Sequence, residues 1–398
     1  MTRFLGFAIF FSIACVILAG VHYYFWLRLV RDTHLTGPAR HLATTLVASL
    51  AALIVATALS GRLAPRLGHV LAWPGFVWMG AMFVLLVILL GTDVLRLLAV
   101  VATRLARLGV EHDPSRRVFG ARLLAGAVLT GTAAVTAAAV RATQSDIAVK
   151  RLDITLDRLP PALDGTKIVQ ICDMHVGGLL GRRFVEHVVA TSNRLEADLI
   201  AVVGDLVDGS IEQLRPVLAP MTELRARHGV FFVLGNHEYY SRSSPRAWIA
   251  EFERMGFRVL GNEHVRIGGE REGFDLAGVY DHGASRFPAE GPPENVAQAL
   301  HGRDASRAVV LLAHQPKTIF EAARLGVDLQ LSGHTHGGQI QPWGALVRLQ
   351  QPFVRGLHRV GNTQIYVSSG TGFWGPPMRL GAPAEITEII LRAKTKSV

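Results

Sequence analysis

The chain has 398 residues, half of them hydrophobic, with only 18% charged, a mean hydropathy of +0.31 and a formal net charge of +10. A soluble chain carries about a quarter charged residues, so these values exclude disorder, collagen-like repeats and a wholly soluble globular protein. The charge is also uneven. Residues 1–145 hold 13 arginines, no lysine and four acids (Asp32, Asp93, Glu111, Asp113), whereas the remainder holds 28 basic and 27 acidic residues.

Four apolar runs, residues 4–27, 42–61, 70–92 and 123–140, contain no Asp, Glu, Lys or Arg. A spanning helix needs about 20 residues, and in lipid every backbone polar group must be paired within the segment. Residues 1–145 are therefore expected to form a membrane domain of four helices. The first run exceeds a signal-peptide core of about 7–15 residues and further spans follow it, so it reads as a retained helix. The fourth is rich in Ala, Gly and Thr, which suits close helix packing. Tyr23, Tyr24, Trp26, Trp73 and Trp78 lie near span ends, where amphipathic rings settle at the interface, and His22 is expected there too. Residues 94–108 are expected to be a basic amphipathic helix on an anionic leaflet. The first and third loops carry nine arginines, against six basic residues on the opposite side. That bias predicts cytoplasmic loops one and three, and an extracytoplasmic C-terminal part. The arginines frame apolar runs, so no nucleic-acid partner is expected. No run carries a formal charge, which disfavours a transport path. Cys15 and Cys172 fall in different parts of the chain, so no intrachain disulfide is expected.

Residues 146–164 read as a connector and first strand, and 165–398 as one α/β domain. Strand-length apolar segments recur at 154–156, 167–172, 199–203, 230–234, 274–280, 308–313, 328–331, 364–368 and 385–391. Several are nearly continuous in Val and Ile, as in strands covered on both faces. Helical patterns fall at 182–196, 211–227, 245–255 and 316–325, with Pro245 and Pro316 suited to first turns. Helices thin out between the later strands, which predicts a sandwich with mixed sheets rather than a plain Rossmann fold.

The polar residues after the strands carry the chemistry. They are Asp173-Met174-His175, Gly204-Asp205-Leu206-Val207-Asp208, Gly235-Asn236-His237-Glu238, His314, and Gly333-His334-Thr335-His336-Gly337-Gly338. Ligands of open α/β sheets gather beyond the carboxyl ends of strands, so five loops aim carboxylates, an amide and imidazoles at one place. Imidazole with carboxylate suits Fe, Mn or Zn. Each motif alone is common, and a lone His or a Gly-Asp turn is most often structural. Their joint occurrence, in order and each after a strand, is the informative signal.

This set resembles the signature of calcineurin-like metallophosphoesterases, over about residues 165–392. Gly337-Gly338-Gln339 after the histidine pair, Ala277-Gly278-Val279-Tyr280-Asp281 and the tail around Arg379 and Glu385 resemble its membrane-associated bacterial branch, and hence a plasma-membrane protein. The resemblance implies a four-layer α/β/β/α sandwich with two metal ions. Carried over, one metal takes Asp173, His175 and His336, the other Asn236, His314 and His334, and Asp205 bridges them. His237 would protonate or stabilise the leaving group. Asp208 is expected to serve its loop or orient other site residues, Glu238 to orient His237 or face the surface, and Asp281 and Arg379 are weaker candidates for substrate contact, with a plain salt bridge the alternative for Arg379. Trp343, Phe373 and Trp374 either line an entrance or pack inside. Two metals can polarise a phosphoryl oxygen and acidify a water, which makes a phosphodiester, a phosphomonoester or a lipid-linked diphosphate the expected substrate. The alternative is a metal-loaded membrane sensor or partner-binding protein with little catalysis. The full ligand set and His237 favour the enzyme.

Overall fold

The computed structural model describes residues 2–106, 113–269 and 272–394. They divide into two compact units. One comprises the chain up to Arg141 with Gly375–Met378, and the other Ala142–Trp374 with the chain from Arg379 onward.

The first unit holds four long helices: α1 (Thr2–Trp26), extended by a π-helical turn at Leu27–Arg31, α2 (Gly37–Leu63), α3 (Pro65–Leu105) and α4 (Pro114–Thr143). All four are long and apolar enough to cross a membrane. The helices outrun the apolar stretches. Residues 94–105 are not a separate surface helix but the unbroken continuation of α3, because nothing after Thr92 interrupts its backbone ladder; residues 107 and 108 lie outside the described residues. This carries Asp93 into the helix, where Arg28 compensates it. Arg28 forms ion pairs with Asp93 and, at 2.5 Å, with Asp32. The Tyr24 hydroxyl donates to Asp93 at 2.6 Å. His22 is packed between helices. It is 4% exposed, its Nδ1 lies 2.9 Å from the Leu18 carbonyl, and its Nε2 accepts from Trp78 Nε1 at 3.2 Å. Trp26 Nε1 donates to Thr44 Oγ1. Three of these aromatic polar tips therefore serve contacts between helices.

The second unit contains β1 (Ala148–Leu156), β2 (Lys167–Ile171), α5 (Arg182–Asn193), β3 (Leu199–Val203), α6 (Ile211–Leu218), β4 (Val230–Val233), α7 (Asn236–Tyr240), α8 (Pro245–Arg254), β5 (Phe257–Val259), β6 (Glu263–Gly268), β7 (Gly273–Gly278), α9 (Val296–Ala299), β8 (Val309–Leu312), α10 (Ile319–Arg324), β9 (Leu329–Ser332), α11 (Trp343–Val347), β10 (Gly356–Val360), β11 (Thr363–Val367) and β12 (Glu385–Ala393). Two six-stranded sheets form, in the orders β1-β12-β2-β3-β4-β5 and β10-β11-β9-β8-β7-β6. In the first sheet β2, β3, β4 and β5 run parallel, and in the second β7, β8, β9 and β11 do. The expected connector strand is longer than its apolar part. All of β1 pairs with β12, so it belongs to the first sheet.

The layers follow from side-chain alternation along the strands. Ile168, Leu199, Ala201, Val203 and Val233 face Leu276, Val310, Leu312, Leu329 and Leu331 across the two sheets. On the other side of the first sheet, Val169, Ile171, Ile200 and Val202 pack against Val185 and Val188 of α5 and Trp248 and Phe252 of α8. On the other side of the second, Ala277, Val309 and Leu311 meet Val296 and Ala299 of α9 and Ala322 of α10. The result is an α/β/β/α sandwich. The helix expected over 211–227 stops at Leu218 and continues as a 3-10 turn, Ala219–Glu223; Pro216 and Pro220 deny it the backbone donors a longer ladder needs. The segment expected at 316–325 opens as a 3-10 turn before α10.

Candidate metal centre

The carboxyl ends of β2, β3 and β4 in one sheet, and of β8 and β9 in the other, lead directly into the five motifs. Sharp backbone turns bring the side chains together. Asp173, His175, Asp205, His334 and His336 all have left-handed backbones, with φ of 51°, 47°, 52°, 71° and 50°. Such conformations are uncommon for residues other than Gly and cluster at functional sites. The neighbouring glycines are needed for close approach. A Cβ on Gly235 would lie 2.2 Å from Asp205 Oδ1, and one on Gly333 would lie 2.4 Å from Asp173 Oδ2.

Three groups of donor atoms lie within 4.8 Å of one another and could each hold a metal ion: Asp173, His175 and His336; Asp205, His314 and His334; and His175, Asp208 and His237. The arrangement makes poor sense without a cation. His175 Nε2 and His336 Nε2 face each other at 2.9 Å. His314 Nδ1 sits 2.8 Å from the Val203 carbonyl, which turns Nε2 toward Asp205 Oδ2 at 3.1 Å. Asn236 Oδ1, His314 Nε2 and His336 Nδ1 are buried with no hydrogen-bond partner. Converging imidazole nitrogens and carboxylate oxygens with orphaned polar atoms among them suit a bound metal, so the residues present fit the implied ions.

Protonation tendencies agree. Burial holds His334 down to about 3 and His336 well below its ordinary value, so both offer neutral imidazoles. Burial opposes ionisation of Asp205, but His314 and His237 outweigh it and hold the carboxyl well below its usual range. Burial likewise opposes the His237 imidazolium, yet Asp205 and the Asp208 hydrogen bond lift it to about 9.

The surrounding residues have defined tasks. Asp208 joins two histidines, with Oδ1 2.5 Å from His237 Nδ1 and Oδ2 3.2 Å from His175 Nδ1. Glu238 has no surface role. It is fully buried and accepts the backbone N–H groups of Asp205, Leu206, Val207 and Gly235, thereby tying the β3 loop to the β4 loop. The backbone N–H of His237 donates to Asp205 Oδ1 at 2.8 Å, and that of His334 donates to Asp173. Asp281 is buried, and both its oxygens accept from Gln315 Nε2, with Gly283 N adding a third bond. The Arg379 guanidinium is also buried and spends its donors on the carbonyls of Gly370, Gly372 and Ala382.

The motifs do not reveal the part played by residues 370–372. Thr371 N donates to the Cys172 carbonyl and Gly372 N to the Asp173 carbonyl, which clamps the backbone on both sides of the turn. A Cβ on Gly372 would lie 2.2 Å from the Met174 carbonyl oxygen. The Gly-rich string was the available signal, but its contact lies about two hundred residues upstream. Phe373 is buried, whereas Trp374 is exposed with its ring 5.7 Å from that of His237.

Donors of this kind, at the strand ends of a two-sheet α/β/β/α sandwich, define a metal-site domain. Residues 166–338 match the family model for calcineurin-like phosphoesterases. An uncharacterized metallophosphoesterase of Aquifex aeolicus is 34% identical over 248 residues, covering 62% of this chain and 92% of the relative. One of Helicobacter pylori is 43% identical over 63% of this chain and 65% of its own length. A bovine transmembrane protein with metallophosphoesterase domain is 42% identical over 62% of this chain and 57% of its own. The chain thus belongs to the calcineurin-like metallophosphoesterase family, and its match spans less than two thirds of the Helicobacter and bovine relatives.

Proposed function

We propose that the chain is a membrane-anchored, metal-dependent phosphoesterase. The observation that carries this reading is the convergence of Asp173, His175 and His336, and of Asp205, His314 and His334, in groups close enough to hold a metal ion, with Asn236 Oδ1 buried and unpartnered beside them. On this reading one ion is held by Asp173, His175 and His336, another by Asn236, His314 and His334, and Asp205 is common to both. Two such ions, Mn, Fe or Zn by donor chemistry, would supply Lewis-acid polarisation of a phosphoryl oxygen and acidification of a water.

The chain's own residues do the rest. Asp208 Oδ1 accepts a hydrogen bond from Nδ1–H of His237 and fixes the ring, which leaves Nε2 to protonate a departing alkoxide. Glu238 holds the Asp205 turn rigid by accepting its backbone N–H. Arg379 braces the 370–372 loop against Asp173. The substrate class is a phosphodiester, a phosphomonoester or a lipid-linked diphosphate. The four apolar helices favour one presented at a bilayer, and the arginine bias of the loops supports an extracytoplasmic catalytic unit.

Full-length protein stripped by a chelator should lose turnover of an aryl phosphodiester and regain it with Mn²⁺. Undiminished turnover in Asp205→Ala would overturn the assignment. A C-terminal reporter fusion active only in the cytoplasm would overturn the orientation.

A further inference from the structure

One stretch of the α/β unit differs in chemistry from the rest. Residues 329–384 contain four arginines and no Asp, Glu or Lys. Of the nine large hydrophobic side chains exposed among the described residues of this unit, five fall in that stretch: Trp343, Leu346, Leu349, Leu357 and Trp374. Leu349 is 81% exposed, Trp374 56%, Leu346 49% and Trp343 48%. Trp343, Leu346 and Leu349 recur every three residues through α11 and the turn after it, so they share one ridge. Arg348 is exposed beside them. A water-facing helix end would place polar residues at these positions. An apolar ridge rimmed by basic groups marks an interaction surface, and Trp and Leu with Arg suit the headgroup boundary of a bilayer.

The ridge is also built onto the metal loop. A Cβ on Gly338 would lie 2.5 Å from Gly344 Cα, so α11 rests directly on the backbone that follows His336. Gln341 Nε2 donates to the Gly337 carbonyl at 2.9 Å. Gln339 pairs both ways with the Trp374 backbone, at 2.9 and 3.0 Å. The exposed indole beside His237 and the α11 ridge therefore hang from the same six-residue turn.

We propose that residues 342–349, with Trp374, form a lipid-facing rim that docks the α/β unit on an anionic bilayer surface and presents the donor cluster to phosphate groups lying at that surface. The acid-free stretch supplies the charge complementarity through its exposed Arg348, Arg355 and Arg359, since arginines near an anionic leaflet are attracted to it. The docking stands apart from the hydrolytic reading, and its test needs no turnover.

Full-length protein with Cys15→Ser and Leu349→Cys, labelled with an environment-sensitive fluorophore, is reconstituted in liposomes carrying doxyl-labelled lipid. A second protein carries the label at Phe320→Cys, an exposed position of the same unit outside the stretch. The label at 349 should be quenched at least about twofold more than that at 320 in vesicles containing phosphatidylglycerol, and less in pure phosphatidylcholine. Arg348→Glu should reduce quenching in the anionic vesicles alone. A label at 349 that stays unquenched overturns the proposal, even if it is shielded from water as a protein partner would shield it. Equal quenching in both lipids, or at both positions, also overturns it. Turnover of a soluble aryl phosphodiester by the labelled protein reports separately on the hydrolytic reading.

Discussion

The two units handle charge in opposite ways. In the helical unit, Arg28, Asp32, Asp93 and Tyr24 form a closed set in which each carboxylate meets a cation and the hydroxyl meets a carboxylate. At the strand ends of the α/β unit, imidazole nitrogens and carboxylate oxygens crowd together, and Asn236 Oδ1, His314 Nε2 and His336 Nδ1 find no hydrogen-bond partner. The first set pairs its charges within the chain. The second could hold a cation, and the left-handed backbones of Asp173, His175, Asp205, His334 and His336 show local strain accepted to build it. Paired charge serves the fold here, and unpaired donors serve chemistry.

Substitutions can break this contrast. The largest effect is expected for Asp205→Asn, which keeps shape but removes the charge that the proposed function assigns to both ions. It should lower turnover of an aryl phosphodiester by about 10²–10³-fold or more, with loss of bound metal by elemental analysis. Full metal content at unchanged rate would remove the reason for the crowding. Next, His237→Ala should cost about 10²–10⁴-fold in kcat while metal content stays near wild type. If metal is lost as well, His237 belongs to the donor set instead. Asp208→Asn should follow, at about 10–100-fold, because it frees two imidazoles without removing either. Its signature would be a loss in kcat with KM little changed. The smallest effect is expected in the other unit. Asp93→Asn leaves Arg28 paired with Asp32 alone and should destabilise the helical unit by about 1–2 kcal/mol in a thermal unfolding measurement in detergent. Metal content and turnover should stay at wild-type values, and a change in either would mean that the two sets are not separate.

Much of this was legible in the residue order. The central strands β2, β3, β4, β8 and β9 are continuous apolar segments, buried throughout or nearly so, and the chemistry-bearing motifs follow them immediately. Strands β5, β6 and β10 were not legible. Each lies at a sheet edge with alternating or partial burial, so its apolar signal is weak. Within the site, Glu238 and Arg379 defeat sequence reasoning for one reason. A charged side chain next to a motif looks surface-facing or substrate-facing, and only tertiary contacts reveal that its partners are backbone groups of another loop. His22 and Asp93 repeat the lesson in the helical unit, where each meets its partner on a distant helix.

The residue order by itself determined that one part of the chain is apolar enough to cross a bilayer and that the other presents Asp, Asn and His at successive strand ends. Both are local properties, of hydropathy over about 20 residues and of a motif following a strand. The tertiary structure alone decided which nitrogens face which oxygens, that Asp208 serves two histidines, that Arg379 bonds loop carbonyls, and that Leu346, Leu349 and Trp374 lie exposed. Those pairings join residues up to two hundred positions apart. They are settled by strand order and by the few ångströms that glycine turns allow, and no local pattern encodes either.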